Sequence, residues 1–173
     1  MMTRPIINLD DIELQPRHEM FTPKGDCAIR FGSTSGEVAS LVGAQKLGYN
    51  ITNVPPGKSA FPFHNHHINE EMFLILDGSG EIRIGNEVYK IKGNDLIACP
   101  PGGKENAHQI INTGEIDLKY LSVSTKLSPE IVEYPDSEKF AVIAELSPDK
   151  NDALEKFVYV GRKAESKDYW DGE

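Results

Sequence analysis

The feature that most constrains this chain is His64-Asn-His66, followed by Glu70-Glu71 and an unbroken apolar run over residues 72–76. Histidines two apart on an extended strand project from the same face. A carboxylate at Glu70 or Glu71 opens the next strand and can turn back toward them. Neutral imidazoles and a carboxylate held together are donors for a divalent cation, and such a set needs a fourth ligand from elsewhere in the chain.

The surrounding pattern is one of short strands and turns. Pro55-Pro56-Gly57 closes a β-like stretch over residues 45–54. Residues 72–76 are all apolar, which suits a strand buried on both faces. Gly78-Ser79-Gly80 turns the chain. Alternating residues 81–84 and 87–91 flank Gly85-Asn86, a two-residue hairpin turn. Residues 96–99 form a short strand stopped by Pro100-Pro101-Gly102-Gly103, and residues 108–111 and 116–123 are further strands split by Asn112-Thr113-Gly114-Glu115. No helix is expected between 45 and 124, so the reading is an all-β antiparallel sandwich or barrel. Gly78, Gly93 and Gly102 are expected to supply positive φ in tight turns.

At 173 residues the chain is long enough to bury one core without staples. Its formal charge of -9 argues against a nucleic-acid or anionic membrane partner, although a bound cation could reverse the field locally and admit an acidic substrate. No apolar run approaches the roughly 18 residues of a membrane span. The start, Met-Met-Thr-Arg-Pro, has no apolar signal core behind it, so a cytoplasmic location is expected. Cys27 and Cys99 match no zinc or dithiol spacing and read as reduced packing residues.

Outside the strand-dense region, residues 1–25 read as an arm that packs along the body, with His18 solvated. Residues 28–31 read as a β-like piece and Gly32-Ser33 as a turn. Beyond Ser128-Pro129 the chain becomes acidic and mixed, with late strands over 140–146 and 157–161 and a polar connection between them. Tyr169 and Trp170 in the charged tail are expected to dock against something. The domain reading is an N-terminal arm with first strands (1–44), a barrel core (45–126) and a C-terminal extension of the same domain (127–173).

Gly57…His64-x-His66…Glu71…Gly78 resembles the first motif of the cupins: a glycine, a His-x-His, a glutamate, and a glycine seven positions after it. Glu71 rather than Glu70 gives the matching distance to Gly78. Gly93…Pro100-x-Gly102…His108…Asn112 resembles the second motif, in which a histidine precedes an asparagine by four. The resemblance covers roughly residues 45–124 and is to compact bacterial single-domain cupins, many without an assigned function. One extra residue separates Gly57 from His64, and Gly103-Lys-Glu-Asn-Ala lengthens the second motif; both changes bear on substrate more than on metal. The resemblance implies a double-stranded β-helix, or jelly-roll, barrel.

It also implies a metal set of His64, His66, Glu71 and His108. Three imidazoles and a carboxylate without sulfur suit one divalent ion among Fe, Mn, Ni and Zn, and the affinity series does not choose between them. Asn112 shares a strand face with His108 and is a candidate to support it. His67 and Glu70 are expected to face outward. Phe61, Phe63, Phe73 and Ile75 are candidates for an apolar pocket. Arg83 is a candidate anchor for a carboxylate or phosphate, with a solvent-facing charge as the plain alternative. Lys104 and Glu105 lie on the lengthened loop, as lid contacts or as solvated residues.

The resemblance implies a metal-dependent enzyme on a small polar molecule: a sugar or sugar-phosphate isomerase, a small-acid decarboxylase or a dioxygenase. A sugar- or acid-binding sensor without turnover, or a metal-free barrel acting through dimerisation, are the other classes. The expected partners are a small-molecule ligand and a second copy of the chain, because strand 72–76, the arm and the aromatic tail offer more apolar surface than one small barrel needs.

Overall fold

The computed structural model describes residues 5–145 and 156–173. The strands run in order β1 (Gln15–Pro16), β2 (Thr34–Glu37), β3 (Leu47–Val54), β4 (Asn65–His66), β5 (Glu71–Asp77), β6 (Ser79–Ile84), β7 (Glu87–Lys92), β8 (Leu96–Cys99), β9 (His108–Ile111), β10 (Leu118–Thr125), β11 (Glu130–Tyr134), β12 (Lys139–Glu145) and β13 (Lys156–Arg162). They form a six-stranded sheet ordered β1-β2-β3-β10-β5-β8, a four-stranded sheet β13-β12-β11-β4 and a three-stranded sheet β7-β6-β9. The named strand pairs are antiparallel, and the architecture is the jelly-roll of a double-stranded β-helix.

Alternation along the strands builds the core. Val54 and Thr52 of β3, Phe73 and Ile75 of β5, and Leu118 and Tyr120 of β10 point inward and are at most 5% exposed. Ile82, Ile91, Ile97 and Ile110 close the same apolar cluster from the smaller sheet and from β8. Complete burial of one such side chain contributes about 1.5–3 kcal/mol, so this cluster is the main source of stability.

Strand 72–76 is buried on one face only. Phe73 and Ile75 lie inside, whereas Met72, Leu74 and Leu76 are half-buried. Their side of the sheet is only partly covered; Leu76 borders an open groove with Ile7 and Leu9 of the N-terminal segment. That segment also supplies β1, which pairs with β2 as β2 pairs with β3. Ile12 and Leu14 pack where a Cβ at Gly36 would stand, so glycine there lets the arm approach closely.

Several local expectations are corrected. Residues 28–31 are not a strand: α1 (Cys27–Arg30) is one helical turn, and Cys27 is exposed rather than packed. Ala28, Ile29 and Arg30 are exposed, whereas Phe31 forms an isolated bridge to Ser59. Gly78 takes φ 80 as expected, but Gly93 and Gly102 do not take positive φ; Asn94 (φ 75) is the left-handed residue in its turn. Tyr169 and Trp170 are 85% and 71% exposed and contact each other edge-on at 4.9 Å instead of docking. β11 arises where a mixed acidic stretch stood in the sequence. The start Met-Met-Thr-Arg and most of the polar connection after β12, with Leu146, lie outside the described residues. Among the described residues, no helix is long and apolar enough to cross a membrane.

Candidate metal centre

Two short pairings position the site. A β-bridge joins His64 to His108, with each backbone N–H donating to the other's carbonyl at 3.2 and 2.7 Å. β5 brings Glu71 to the same point from the facing sheet. One oxygen of that carboxylate, Oε2, is then 3.0 Å from His108 Nε2, 3.5 Å from His66 Nε2 and 3.8 Å from His64 Nε2. Ligand atoms of His64, His66 and Glu71 lie within 4.8 Å of one another. Donors about 2.1 Å from a shared ion and at right angles stand about 3.0 Å apart, so this spacing has the right scale for a cation at the centre.

The outer nitrogens of the rings fix their chemistry. His64 Nδ1 is 2.9 Å from Pro62 O, and His108 Nδ1 is 3.2 Å from Asn106 O. A carbonyl oxygen only accepts, so each Nδ1 carries a proton, and in its neutral form each ring turns the Nε2 lone pair toward Glu71. Lone pairs facing a carboxylate repel unless a proton or cation lies between them. The donor set therefore fits a divalent ion. His66 Nδ1 faces Glu130 Oε2 at 3.4 Å without hydrogen-bond alignment.

Without an ion the groups share protons unevenly. Burial pulls His64 below its ordinary value, against the opposing carboxylate. Burial acts the same way on His66, but Glu71 and Glu130 outweigh it and hold the ring above its ordinary value. Burial also works against charge on His108; Cys99 and Glu71 overcome it and push the ring up to about 9. Burial would raise the Glu71 carboxyl, yet hydrogen bonds from the three imidazoles carry it well below the usual range.

The structure brings His64, His66, Glu71 and His108 together. Phe61 and Phe73 line a cavity with His64, His108, Gln109 and Tyr120, and its volume is about 10 Å³. That is space for about one water, so any larger ligand approaches from the barrel mouth. The other pocket candidates lie elsewhere. Ile75 is wholly buried in the core beneath Phe73. Asn112 is also wholly buried, and its amide serves the backbone: Nδ2 donates to Val54 O and Ile116 O, and Oδ1 accepts from Gly114 N. It ties the loop between β9 and β10 rather than supporting His108. Phe63 lies under the Arg83 guanidinium at 3.7 Å, and Arg83 Nη1 donates to both oxygens of Asp136 at 3.0 and 2.8 Å. Arg83 is thus neither a free anchor nor a solvent-facing charge; it clamps the turn that follows β11. Tyr134, at the end of β11, stacks on His64 at 6.3 Å.

His67 is 38% exposed at its side chain and pairs with Glu133 at 3.2 Å, outside the cluster. Glu70 is exposed, and Lys104 and Glu105 sit on an exposed single turn. Sequence reasoning missed Glu130. This acid is 5% exposed and accepts from the backbone of Ile68, Asn69 and Ile131, and from the Asn69 amide. It also missed Arg17, whose guanidinium lies 3.8 Å over the Phe61 ring.

Residues 50–124 match the family model described as Cupin domain. An uncharacterized protein of Methanocaldococcus jannaschii is 37% identical over 71 residues, 41% of this chain and 54% of that protein, so the chain spans about half of that relative. The oxalate-binding protein of Thermotoga maritima is 29% identical over 112 residues, covering 62% of this chain and 89% of that protein. A solved structure from Silicibacter pomeroyi, described as a sugar phosphate isomerase from a cupin superfamily, superposes with a TM-score of 0.75. Identity to it is 21%, over 96% of this chain and 98% of that one, so the likeness is one of fold.

Proposed function

We propose, on the premise that this chain belongs to the cupin superfamily, that it is a divalent-metal protein acting as an enzyme on a small acid at the barrel mouth. The observation that carries this reading is the convergence of three Nε2 atoms on one oxygen of Glu71. His64, His66, Glu71 and His108 would hold the ion, which leaves coordination positions for a ligand on a six-coordinate metal. Fe, Mn, Ni and Zn all suit the donor set. A bound ion would supply Lewis-acid polarisation of a carboxyl or carbonyl oxygen.

The chain's own residues do the rest. Pro62 O and Asn106 O hold two rings in the tautomer that presents Nε2. Phe61, Phe73 and Tyr120 line a cavity with space for no more than about one water, which keeps bulk water from beneath the ligand. The Thermotoga relative is named for binding oxalate, a small acid. That name also favours a second reading, in which the acid is held without turnover.

A panel of small acids and sugar phosphates incubated with metal-loaded protein tests the proposal. We expect turnover of a small acid, abolished by Glu71→Gln. Ligand-induced thermal shifts without turnover would support the binding reading, and neither effect with any acid would sink both.

A further inference from the structure

We infer that Arg17, delivered by the N-terminal arm, is the anchor for the anionic group of the ligand that the metal site takes. The inference rests on the proposed metal-dependent function and names the residue that selects for charge.

Arg17 follows β1, so the pairing of β1 on β2 fixes where its side chain starts. Its Nε donates to Ser33 Oγ at 2.6 Å, which sets the plane of the guanidinium. That plane lies over Phe61, and the Phe61 ring in turn packs against His64 with centroids 6.1 Å apart. A permanent cation therefore stands one aromatic ring away from a metal-ligand candidate. Tyr120 lines the same cavity as Phe61, His64 and His108.

Arg17 Nη2 is buried and has no hydrogen-bond partner, and no carboxylate among the described residues pairs with the side chain. A buried guanidinium donor left unpaired is costly, and the cost disappears when an oxyanion accepts from it. Arg83, the other arginine near the site, is already committed to Asp136. A guanidinium presents paired donors to a carboxylate or a phosphate, so the shared chemistry is an oxyanion with oxygens to spare after reaching the metal. A neutral sugar can offer oxygens to both ends but no charge to offset the guanidinium.

Titration calorimetry of metal-loaded protein with malonate, inorganic phosphate and glycerol tests the inference. In the unsubstituted protein, malonate or phosphate is expected to bind at least tenfold more tightly than glycerol, and the tighter of the two identifies the anion. Arg17→Met should weaken that anion at least tenfold with metal content unchanged, and Arg17→Lys should recover part of the loss. Should Arg17→Met fail to fold, Ser33→Ala reads the same geometry, since it frees Nε and should weaken the anion while leaving the charge. Anion affinity within threefold of the unsubstituted protein in Arg17→Met, or in Ser33→Ala if only that variant folds, overturns the role of Arg17. So does anion binding no tighter than glycerol. Absence of metal from the unsubstituted protein is a different failure, which removes the functional reading itself.

Discussion

Glu130 Oε2 stands 3.4 Å from His66 Nδ1, on the side of the ring turned away from Glu71. β11 carries that acid, and β11 pairs with the His66 strand, so the contact is built by the sheet. With its oxygen at the Oε1 position, Glu130→Gln keeps the acceptor for the Ile68 and Ile131 N–H groups and gives up the one for Asn69 N–H. It should weaken metal affinity about 10–100-fold, the usual cost of removing a partner that orients a ligating histidine. Competition against a calibrated chelator measures this, and unchanged affinity would remove Glu130 from the site. Glu130→Ala should in addition destabilise the fold by about 1–3 kcal/mol for each buried donor it leaves unpaired.

Arg83, Phe63 and Asp136 form a clamp that holds the turn after β11. Arg83→Ala removes a partly exposed ion pair, worth about 0–1 kcal/mol, and a cation–π contact worth about 0.5–1 kcal/mol. Urea unfolding should therefore show a loss of roughly 0.5–2 kcal/mol with metal content retained. A variant as stable as the parent, or one that has lost its metal, contradicts the clamp.

The pH response should differ with and without metal. His108 is held up to about 9 in the folded chain, above its ordinary 6.5. Its contribution is therefore full below 6.5 and disappears as pH rises through 9. Glu71 is held well below its ordinary value, so its contribution is full above the usual carboxylate range and lost only in acid. Chelated protein should thus lose thermal stability between pH 6.5 and 9. Metal binding needs deprotonated imidazoles, so the gap in Tm between metal-loaded and chelated protein should widen over the same interval. Thermal scans with added metal or EDTA at several pH values check this, and a constant gap would contradict it.

We also propose that the chain forms a homodimer. β13 lies at the edge of its sheet, and Phe157, Val158, Tyr159 and Val160 are 42–55% exposed on both of its faces. An exposed apolar edge strand is a template for pairing with another chain. Equilibrium sedimentation should give twice the chain mass, and Val160→Lys should shift the protein toward monomer. A parent protein that sediments only as monomer contradicts this.

How much the sequence disclosed depended on whether the relation was local. His64, His66 and Glu71 fall within eight positions, and their strand spacing announces a shared face. Ile84-Gly85-Asn86-Glu87 announces its hairpin, which β6 and β7 form in register. His108 became legible through its motif. Glu130 did not, because β11 inverts the usual alternation: the acid is buried and Ile131 is 40% exposed. A carboxylate turned inward to serve backbone donors looks like surface in the sequence. Arg17 was hidden for a related reason, since only the pairing of the arm onto β2 brings it to Phe61. Asn112 misled in the other direction; its even spacing from His108 is real, but its amide is consumed by three backbone groups.

On the proposed function, the three imidazoles and Glu71 hold a metal ion. Elemental analysis of protein purified without chelator tests it most directly, comparing the parent with His66→Ala and Glu71→Gln. About one divalent ion per chain is expected in the parent, with most of it lost in both folded variants. A metal-free parent that cannot be loaded, or full metal content in both variants, would contradict it.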